Sequence, residues 1–410
     1  MKPVQVIGLG LGPQDITPRL ARVIAEAEVL AGGRRLLDML PEQQGTRLEL
    51  SGGLAAWLDQ VEAAARDQVV VVLASGDPGF FGVARAVIER LGAERVEVWP
   101  NLSAMQAACA RLKLPWSHAA HVSLHAPGED GLARLWRAMS QADLVSVYTS
   151  PAWGPPQLAA LLQERGLDNW RLHVLEDLGA PRERVAAYSL DRAAQSAFAP
   201  LNMVLLRRTG SARAPRLGLA EAAYAHEDGL ITKAEVRAVA LAKLELGPEM
   251  TLWDVGAGSG SLGLEASLLL PGGRVIAVEQ KAERVAMIAA NRRAHGVGML
   301  EIARGAAPGA LRGLPAPHRV FIGGGGKYLA AIIRAAAHGL RPKGIILVSA
   351  VLLDSVETAR RALDQAGLAV DETLVQVSRG EPVAGQSMLR ALNPVWLVRG
   401  RAKESEELDD

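Results

Sequence analysis

Short runs of β-branched and other apolar residues alternate along the chain with longer stretches in which Ala, Leu and Arg recur at helical spacing. Runs that are apolar at every position are typical of strands buried on both faces of a parallel sheet, with helices covering those faces. The pattern therefore predicts an α/β protein. Its predicted buried strands are Val69–Leu73, Val96–Trp99, Leu144–Tyr148, Arg171–Leu175, Met203–Leu206, Leu252–Val255, Val275–Val278, Val320–Ile322 and Ile345–Val348.

The alternation stops at residues 207–216, a basic stretch of small residues, Gly and Pro without periodicity. Interdomain linkers have this composition. A weaker break lies near Pro115–Pro127. The predicted organisation is a domain at residues 1–208 with lobes at about 1–115 and 120–208, a linker at 209–224, a second domain at 225–400 and a disordered acidic tail at 401–410.

Composition excludes several classes of protein. The 410 residues carry a net charge of +1, whereas nucleic-acid binders usually show a basic stripe. The N-terminus lacks the apolar segment of a signal peptide, and no apolar stretch approaches the roughly 20 residues of a membrane span. We therefore expect a cytoplasmic protein that binds neither nucleic acid nor membrane. Its single cysteine, Cys109, lies in an Ala-rich stretch and is predicted to be a small buried hydrophobe.

The strongest local signal is a strand that runs into a glycine-rich turn at Gly256–Gly260, followed by a predicted helix at Leu262–Leu270. Such glycines let the backbone approach a ligand closely. Glu279 ends the next strand, where an acid can accept both hydroxyls of a ribose. The order of these features predicts a nucleoside cofactor, and the spacing of the glycines is typical of S-adenosylmethionine (SAM) rather than NAD. Asp254 would either contact the amino-acid part of SAM or cap the turn.

Three further segments of the C-terminal half are candidates for the same site. Thr232 and Glu235 have the spacing of a capping box, which predicts the start of a helix. The loops at Gly305–Pro308 and Gly323–Gly326 follow the next two strands, and ligands of doubly wound sheets bind at such strand ends. The four consecutive glycines would either form a smooth wall for a bulky flat substrate or be a flexible loop.

The N-terminal half has its own set of turns at predicted strand ends. They lie at Gly8–Pro13, at Ser75–Gly82 and at Pro100–Ser103, where a capped helix should begin. Three histidines, His118, His121 and His125, are close in sequence, but no cysteine or paired carboxylate joins them. We therefore predict no metal site, and expect His125 to face the substrate cleft.

The C-terminal half, from about Ala225 to Arg399, resembles the cobalamin-pathway methyltransferases that methylate carbon 15 of precorrin-6Y and decarboxylate its ring-C acetate. The resemblance rests on Gly-Leu-Ile-Thr-Lys-x-Glu-Val-Arg, Leu-Trp-Asp-Val-Gly-Ala-Gly-Ser-Gly-Ser, Gly-x-Ala-Pro and Phe-Ile-Gly-Gly. It implies a Rossmann-like class I SAM methyltransferase in which adenine meets backbone near Ala306. The implied cofactor residues are Thr232, Asp254, Gly256, Ala257, Gly258, Ser259, Gly260, Glu279, Ala306 and Ala307.

The N-terminal half, from about Val4 to Arg208, resembles the tetrapyrrole methylases, in particular those that act at carbon 5 of precorrin-6Y. Three positions depart from that family's motifs: Leu11 replaces a proline, Phe81 a tyrosine and Asn101 a glycine. The resemblance implies a two-lobed fold with SAM in the trough between the lobes. The implied cofactor residues are Asp77, Phe80, Gly82, Ser103 and Ala104.

Together the halves resemble the bifunctional enzymes that convert precorrin-6Y to precorrin-8 with two molecules of SAM. The resemblance implies two SAM sites per chain and a tetrapyrrole substrate, and we expect a homo-oligomer. Candidates for holding a substrate carboxylate or taking part in catalysis are Lys233, Arg237, Lys327 and His125. Each of the three cations Lys233, Arg237 and Lys327 could equally be a solvated surface charge. Two alternatives remain at this point: an RNA methyltransferase, or one catalytic domain fused to a degenerate binding module.

Overall fold

The computed structural model describes residues 3–125, 130–210, 215–227 and 229–402. The chain divides into two compact units that interleave along the sequence. The first unit contains residues 1–126, 142–158 and 171–207, and the second contains residues 127–141, 159–170 and 208–410. The predicted domain and linker boundaries stay a prediction. Residues 211–214 of that linker and the predicted acidic tail from residue 403 onward lie outside the described residues.

The first sheet of the first unit is parallel throughout. Its strands are β1 (Val4–Gly8), β2 (Val29–Gly32), β3 (Thr46–Glu49), β4 (Val70–Ala74) and β5 (Val96–Trp99), in the order β3-β2-β4-β1-β5. Successive side chains of a strand point to opposite faces, so Val6 and Ile7 enter two separate apolar clusters. The helices of this region are α1 (Pro18–Ala25), α2 (Arg34–Leu37), α3 (Leu54–Ala64), α4 (Ala84–Leu91) and α5 (Ala104–Leu112).

A second sheet of five strands mixes parallel and antiparallel pairs. Its strands are β6 (Ala120–Ser123), β7 (Leu144–Tyr148), β8 (Trp170–Glu176), β9 (Arg184–Tyr188) and β10 (Asn202–Arg208), in the order β6-β7-β10-β8-β9. The pair β6–β7 is parallel, whereas the pairs β7–β10 and β8–β9 are antiparallel. The helices between these strands are α6 (Asp130–Gln141), α7 (Pro155–Glu164) and α8 (Leu190–Ala194).

The second unit is built on a sheet of seven strands. Its strands are β11 (Thr251–Val255), β12 (Arg274–Glu279), β13 (Leu300–Arg304), β14 (Arg319–Ile322), β15 (Ile345–Ala350), β16 (Leu368–Val375) and β19 (Val395–Ala402), in the order β13-β12-β11-β14-β15-β19-β16. The first five are parallel in the 3-2-1-4-5 order of a doubly wound sheet, whereas β19 is antiparallel to both of its neighbours. A separate hairpin is formed by β17 (Ser378–Val383) and β18 (Gln386–Ala391).

Apolar clusters lie on both faces of the seven-stranded sheet. Neighbouring residues of β11 alternate between them, Leu252 in one and Trp253 in the other. This explains why the strand is apolar at nearly every position. The helices of this unit are α9 (Ala234–Leu244), α10 (Ser261–Ala266), α11 (Ala282–His295), α12 (Leu329–Gly339) and α13 (Leu353–Gln365).

The α/β class and the positions of the predicted strands are confirmed, since each predicted strand agrees with an observed one to within two residues at each end. The burial predicted for Val96–Trp99 is wrong, because β5 is an edge strand whose Glu97 and Val98 are exposed. Cys109 is buried, as expected. The helix after the glycine turn is shorter than predicted, because α10 ends at Ala266 and gives way to a 3-10 turn at Ser267–Leu269. Within the described residues, no helix has both the length and the apolar character needed to cross a bilayer.

The helix start predicted at Thr232 and Glu235 is confirmed, since α9 begins at Ala234, but the capping box is wrong. The residue that caps α9 is Lys233, whose side chain accepts no hydrogen bond, and the Ala234 N–H donates to Glu221 Oε1 at 2.8 Å. The Glu235 carboxylate instead pairs with Arg379 of β17, with Oε2 2.6 Å from the guanidinium Nη2. A charge-assisted pair with an arginine therefore replaces the reciprocal cap at this helix start.

Candidate functional site

The first unit contains a cavity of about 450 Å³ that lies at the ends of strands from both of its sheets. Turns that follow β1, β2, β4 and β5 form one part of its lining, and residues at the ends of β6, β7, β8 and β10 form another. This volume falls within the range typical of small-molecule sites, roughly 300–1,000 Å³. All five residues predicted to bind the N-terminal cofactor line the cavity: Asp77, Phe80, Gly82, Ser103 and Ala104.

The turn after β4 is held by its own polar and steric contacts. Asp77 Oδ1 accepts the Gly79 N–H at 2.8 Å. A Cβ atom at Gly82 would lie 2.4 Å from the Pro78 carbonyl oxygen, so this position requires glycine. Phe81 adopts a left-handed φ of 55° and leaves its ring 52% exposed at the edge of the cavity. Phe81, which replaces the tyrosine of the family motif, therefore keeps an aromatic ring in the lining of the cavity.

The turn after β5 begins with Asn101, another departure from the tetrapyrrole methylase motifs. Its Nδ2 donates to the carbonyl oxygens of Gly8 at 2.8 Å and Asp15 at 3.1 Å, so the side chain ties this turn to the loop after β1. Ser103 then caps α5 in a reciprocal capping box with Gln106, as predicted for a capped helix. Asn101 thus supplies a connection that glycine could not make.

An aromatic cluster lies beside the same turn. The Phe80 ring makes edge contacts with Phe81, His121 and Tyr148, at centroid distances of 5.0, 5.1 and 5.8 Å. The Tyr148 hydroxyl accepts the Met105 N–H at 3.2 Å, which places this side chain against the start of α5. Burial raises the pKa of Tyr148 to about 12, so the phenol stays protonated at neutral pH.

The three nearby histidines have different surroundings. His125 lines the cavity, whereas His121 Nδ1 lies 2.8 Å from Ser146 Oγ and is partly buried. Burial lowers the pKa of His121, which favours the neutral imidazole. Among the residues that the structure describes, no group of three or more His, Cys, Asp or Glu side chains could hold a metal ion.

In the second unit, Glu279 organises the glycine turn. Its Oε2 accepts the Gly258 N–H at 3.0 Å, and its Oε1 accepts the N–H groups of Gln280 and Lys281, each at 2.9 Å. A carboxylate offers about four acceptor positions, so Oε2 retains capacity for a ligand hydroxyl. Among the described residues, a Cβ at Gly258 would meet only the Gly256 oxygen, at 4.0 Å, which leaves open space in front of the turn.

The loops after β13 and β14 lie against this turn. The Gly305 N–H donates to the Glu279 carbonyl at 2.9 Å, and Ala306 and Ala307 follow directly. A Cβ built at Gly256 would lie 3.4 Å from the Gly324 nitrogen, so the four-glycine loop at Gly323–Gly326 abuts the glycine turn. Three strand-end segments predicted to form the C-terminal site are therefore neighbours.

Asp254 is only 1% exposed and its Oδ2 accepts the Gly263 N–H at 3.2 Å. This contact corresponds to the capping role that the sequence left open beside a ligand role. Burial, opposed by that hydrogen bond and reinforced by the Glu279 charge, raises the pKa of Asp254 to about 7. The carboxyl group is therefore partly protonated near neutral pH.

Arg237 was a candidate for binding a substrate carboxylate, and the structure corrects that expectation. Its side chain is fully buried and pairs with Glu265, with Nη2 and Oε1 2.8 Å apart. The guanidinium also donates to the carbonyl oxygens of Thr232 and Leu219. Because its donors are occupied inside the protein, Arg237 positions the Thr232 loop rather than facing a ligand.

The two lysine candidates lie at the surface. Lys233 Nζ donates to the Gly229 carbonyl at 3.3 Å. Lys327 is exposed, and its Nζ lies 5.2 Å from the centre of the Tyr328 ring. Their roles toward a substrate stay predictions.

Comparison with known proteins agrees with this architecture. Residues 222–400 match the family model for the precorrin methyltransferase domain, and residues 3–194 match that for the tetrapyrrole (corrin/porphyrin) methylases. A precorrin-6Y C(5,15)-methyltransferase [decarboxylating] of Sinorhizobium sp. is 35% identical over 95% of this chain and 94% of its own length. The chain belongs to the precorrin-6Y C(5,15)-methyltransferase (decarboxylating) family. It is therefore related to SAM-dependent C-methyltransferases of cobalamin biosynthesis.

Relatives of single-function type match shorter parts of the chain. A probable cobalt-precorrin-6B C(15)-methyltransferase (decarboxylating) of Pyrobaculum calidifontis is 39% identical over 45% of this chain and 96% of its own length. A cobalt-precorrin-7 C(5)-methyltransferase of Salmonella typhimurium is 32% identical over 44% of this chain and 87% of its own length. The precorrin-6Y C(5,15)-methyltransferase family thus has separate relatives for each of the two methylations.

Two positioning residues in this member of the precorrin-6Y C(5,15)-methyltransferase family were not identified from sequence. Tyr148 ends a strand that was predicted, but nothing local indicates that its hydroxyl meets α5. Asn291 Nδ2 donates to the carbonyl oxygens of Ser259 and Ala225, at 2.8 and 2.9 Å, and so ties the glycine turn to the segment before Thr232. Asn291 is a buried polar residue of α11, and no motif in the sequence marks it.

Proposed function

We propose that this chain methylates precorrin-6Y at carbons 5 and 15, with one SAM bound at each of two sites, and decarboxylates the ring-C acetate to give precorrin-8. We assign carbon 5 to the first unit, and carbon 15 with the decarboxylation to the second. We also infer that the enzyme is cytoplasmic and homo-oligomeric.

The observation that carries this proposal is that each unit has its own strand-end site. The first unit contributes the cavity lined by Asp77, Phe80, Gly82, Ser103 and Ala104. The second contributes the Gly256–Gly260 turn with the Glu279 carboxylate behind it. Two sites on unrelated folds suit an enzyme that performs two separate methyl transfers.

The residues of the second unit fit SAM on physical grounds. The Glu279 Oε2 atom can accept a ribose hydroxyl, and no described side chain lies within 4 Å of the Cβ position of Gly258. Residues after Gly305 lie beside Glu279 through the bond between the Gly305 N–H and the Glu279 carbonyl. Adenine can therefore be held by the backbone of Ala306 and Ala307, which have no polar side chain.

Bound SAM supplies an electrophilic methyl group, so the protein contributes mainly orientation. Holding the two reactants in a productive geometry can raise their effective concentration by many orders of magnitude. In the first unit, the Phe80, Phe81 and Tyr148 rings form a largely apolar surface against which a conjugated macrocycle can pack. In the second, the Gly323–Gly326 loop presents backbone without side chains to the same kind of ring.

The deciding experiment is to incubate the intact chain with precorrin-6Y and SAM and to analyse the product by mass spectrometry. We expect a gain of two methyl groups and the loss of one carbon dioxide, with carbon-13 NMR placing the methyl groups on carbons 5 and 15. A product with a single added methyl group would refute the two-site proposal. Methylation of RNA under the same conditions, lost at raised salt, would favour the alternative activity.

A further inference from the structure

Arg35 is the one arginine or lysine among the described residues that line the cavity of the first unit. It follows the Gly32-Gly33 pair at the end of β2 and lies in the first turn of α2. The next residues, Leu36 and Leu37, are buried in an apolar cluster, which fixes the backbone that carries Arg35. The cation is therefore presented from an anchored turn, while its own side chain is exposed.

The Arg35 guanidinium is oriented by one hydrogen bond, and most of its N–H donors remain available to a ligand. Its Nη2 donates to the Ser75 hydroxyl at 3.1 Å, at the end of β4. Arg35 forms no ion pair with any described residue. A guanidinium has five N–H donors in a rigid fork that matches a carboxylate with two parallel bonds. The contact with Ser75 thus leaves a free edge for an acid.

The edge of the cavity near these turns is apolar. Three large side chains that line the cavity remain substantially exposed: Leu50 by 41%, Phe81 by 52% and Leu201 by 47%. Large exposed apolar side chains grouped around a concave site indicate a ligand-binding surface rather than scattered surface residues. The combination of apolar edges and one cation suits a flat apolar ring that bears peripheral carboxylates.

The size of the cavity favours the substrate over the cofactor as the source of that carboxylate. About 450 Å³ is in the range for a single small ligand, roughly 300–1,000 Å³. A macrocycle bound together with SAM must therefore extend beyond the enclosed volume and rest on the exposed edge. Arg35 is exposed, as are the three apolar side chains, whereas Ser103 is buried.

We propose that Arg35 is a specificity-determining residue that binds a peripheral carboxylate of the tetrapyrrole at the carbon-5 methylation site. This inference rests on the proposed function of the first unit. Binding a side chain remote from the reacting carbon fixes the rotation of the macrocycle in its plane, and with it which meso carbon faces the methyl donor.

The test compares Arg35→Gln, Arg35→Lys and Arg34→Gln in the intact chain. Arg34 is the matched control, because it is the preceding residue of α2, is also exposed and is absent from the cavity lining. The readouts are the KM for precorrin-6Y in carbon-5 methylation, the position of the new methyl group by carbon-13 NMR, and the affinity for SAM by calorimetry. Thermal unfolding checks that each variant remains folded.

We expect Arg35→Gln to raise the KM for precorrin-6Y about 10-fold to 100-fold, as the loss of a charge-assisted hydrogen bond predicts. Arg35→Lys should recover part of this loss, and Arg34→Gln should behave as the unaltered chain. SAM affinity should not change. A weakened SAM affinity with unchanged precorrin KM would overturn the proposal by assigning Arg35 to the cofactor carboxylate, and so would equal effects of Arg34→Gln and Arg35→Gln.

Failure of the proposed function would give a different result. In that case the unaltered chain itself would add no methyl group at carbon 5, whatever residue stands at position 35. The proposal for Arg35 fails alone when the unaltered chain and Arg35→Gln methylate carbon 5 with the same KM.

Discussion

Glu279 Oε2 accepts the N–H of Gly258 across 3.0 Å, so the acid that ends β12 holds the glycine turn that ends β11. The same carboxylate accepts two further backbone N–H groups through Oε1. A residue predicted from sequence as a ligand for ribose is thus also a structural support for the turn beside it. Its replacement should therefore affect the cofactor in two ways at once.

Glu279→Ala should weaken SAM binding at the second-unit site about 10-fold to 100-fold, the loss expected for a hydrogen bond to a charged group. Calorimetric titration of the intact chain with SAM should then show one weakened site and one unchanged site. Glu283→Ala is the matched control, since Glu283 is an exposed acid in the first turn of α11. If both sites of Glu279→Ala bind SAM as tightly as those of the unaltered chain, the Glu279 carboxylate does not bind the cofactor.

Asp254→Asn should make the chain more stable at pH 8 than the unaltered chain. Burial raises the pKa of Asp254 to about 7 from an ordinary 3.8, so the folded state binds a proton that the unfolded state has released. The stability that this proton contributes is complete below about 3.8 and is lost as the pH rises through 7. The neutral amide avoids that loss, because it never has to carry a buried charge.

The measurement is thermal unfolding of both proteins between pH 4 and pH 8 without SAM. The stability difference in favour of Asp254→Asn should grow with pH, up to a few kcal/mol, since one pKa unit corresponds to about 1.4 kcal/mol. A difference that does not depend on pH would show that Asp254 is charged across this range. Weakened SAM binding in the same variant would support the ligand role that the sequence left open.

Arg237→Met should destabilise the second unit by about 3–5 kcal/mol, because it leaves Glu265 charged and without its guanidinium in a buried site. The Glu265 carboxylate would retain the Tyr224 hydroxyl and the Gly218 N–H as donors. Adding Glu265→Gln should recover part of the lost stability by removing the unpaired charge. Lys243→Met, a charge removal in the last turn of the same helix, should cost far less as measured by urea unfolding.

Asn101→Gly restores the residue that the tetrapyrrole methylases have at this position, yet we expect it to be harmful here. It removes the two hydrogen bonds that Nδ2 donates to the carbonyl oxygens of Gly8 and Asp15 and the one that Oδ1 accepts from the Leu102 N–H, at a cost of about 1–3 kcal/mol. Asn101→Asp keeps an acceptor for the Leu102 N–H but should also be damaging, since its carboxylate would face both carbonyl oxygens without a proton to donate. Unchanged urea unfolding for both variants would contradict a bridging role for Asn101.

The strands and the glycine turn could be predicted from sequence because each depends on local pattern. Three of the four residues of Leu252–Val255 are apolar, and Gly258 has a left-handed φ of 58°, a local conformation that favours glycine. Long-range partners could not be predicted in this way. The carbonyl oxygens that bind Arg237 belong to Thr232 and Leu219, and the Glu265 carboxylate lies on α10. No local pattern around Arg237 therefore indicates that this cation is buried.

The same distinction explains the wrong capping box. The Thr232-x-x-Glu235 spacing is a local signal, but Glu235 is bound by Arg379, a residue 144 positions away. A bidentate arginine pair competes successfully with a neutral side-chain cap, because charge-assisted hydrogen bonds are roughly twice as strong. Glu221, bound by the same guanidinium, has its pKa lowered to about 2, which shows how strongly this arginine favours the ionised acids.

The last prediction is that decarboxylation occurs at the second-unit site together with methylation at carbon 15. The Gly323–Gly326 loop abuts the glycine turn, with the Gly324 nitrogen 3.4 Å from the Cβ position of Gly256, and three of its four glycines are exposed. The four glycines themselves have no polar side chain to hold an acetate, and a macrocycle that covers them would exclude water from it. A carboxylate that has lost its water is raised in energy relative to neutral carbon dioxide.

Two variants of the intact chain test this assignment. Glu279→Ala impairs the second-unit site, and Ala104→Phe places a ring in the first-unit cavity that Ala104 lines. With precorrin-6Y and limiting SAM, Ala104→Phe should add one methyl group, at carbon 15, and release carbon dioxide, whereas Glu279→Ala should lose both reactions in parallel. If Glu279→Ala released carbon dioxide at the normal rate and Ala104→Phe did not, decarboxylation would belong to the first unit instead. The reaction would then depend on the first-unit cavity and not on the site beside the glycine loop.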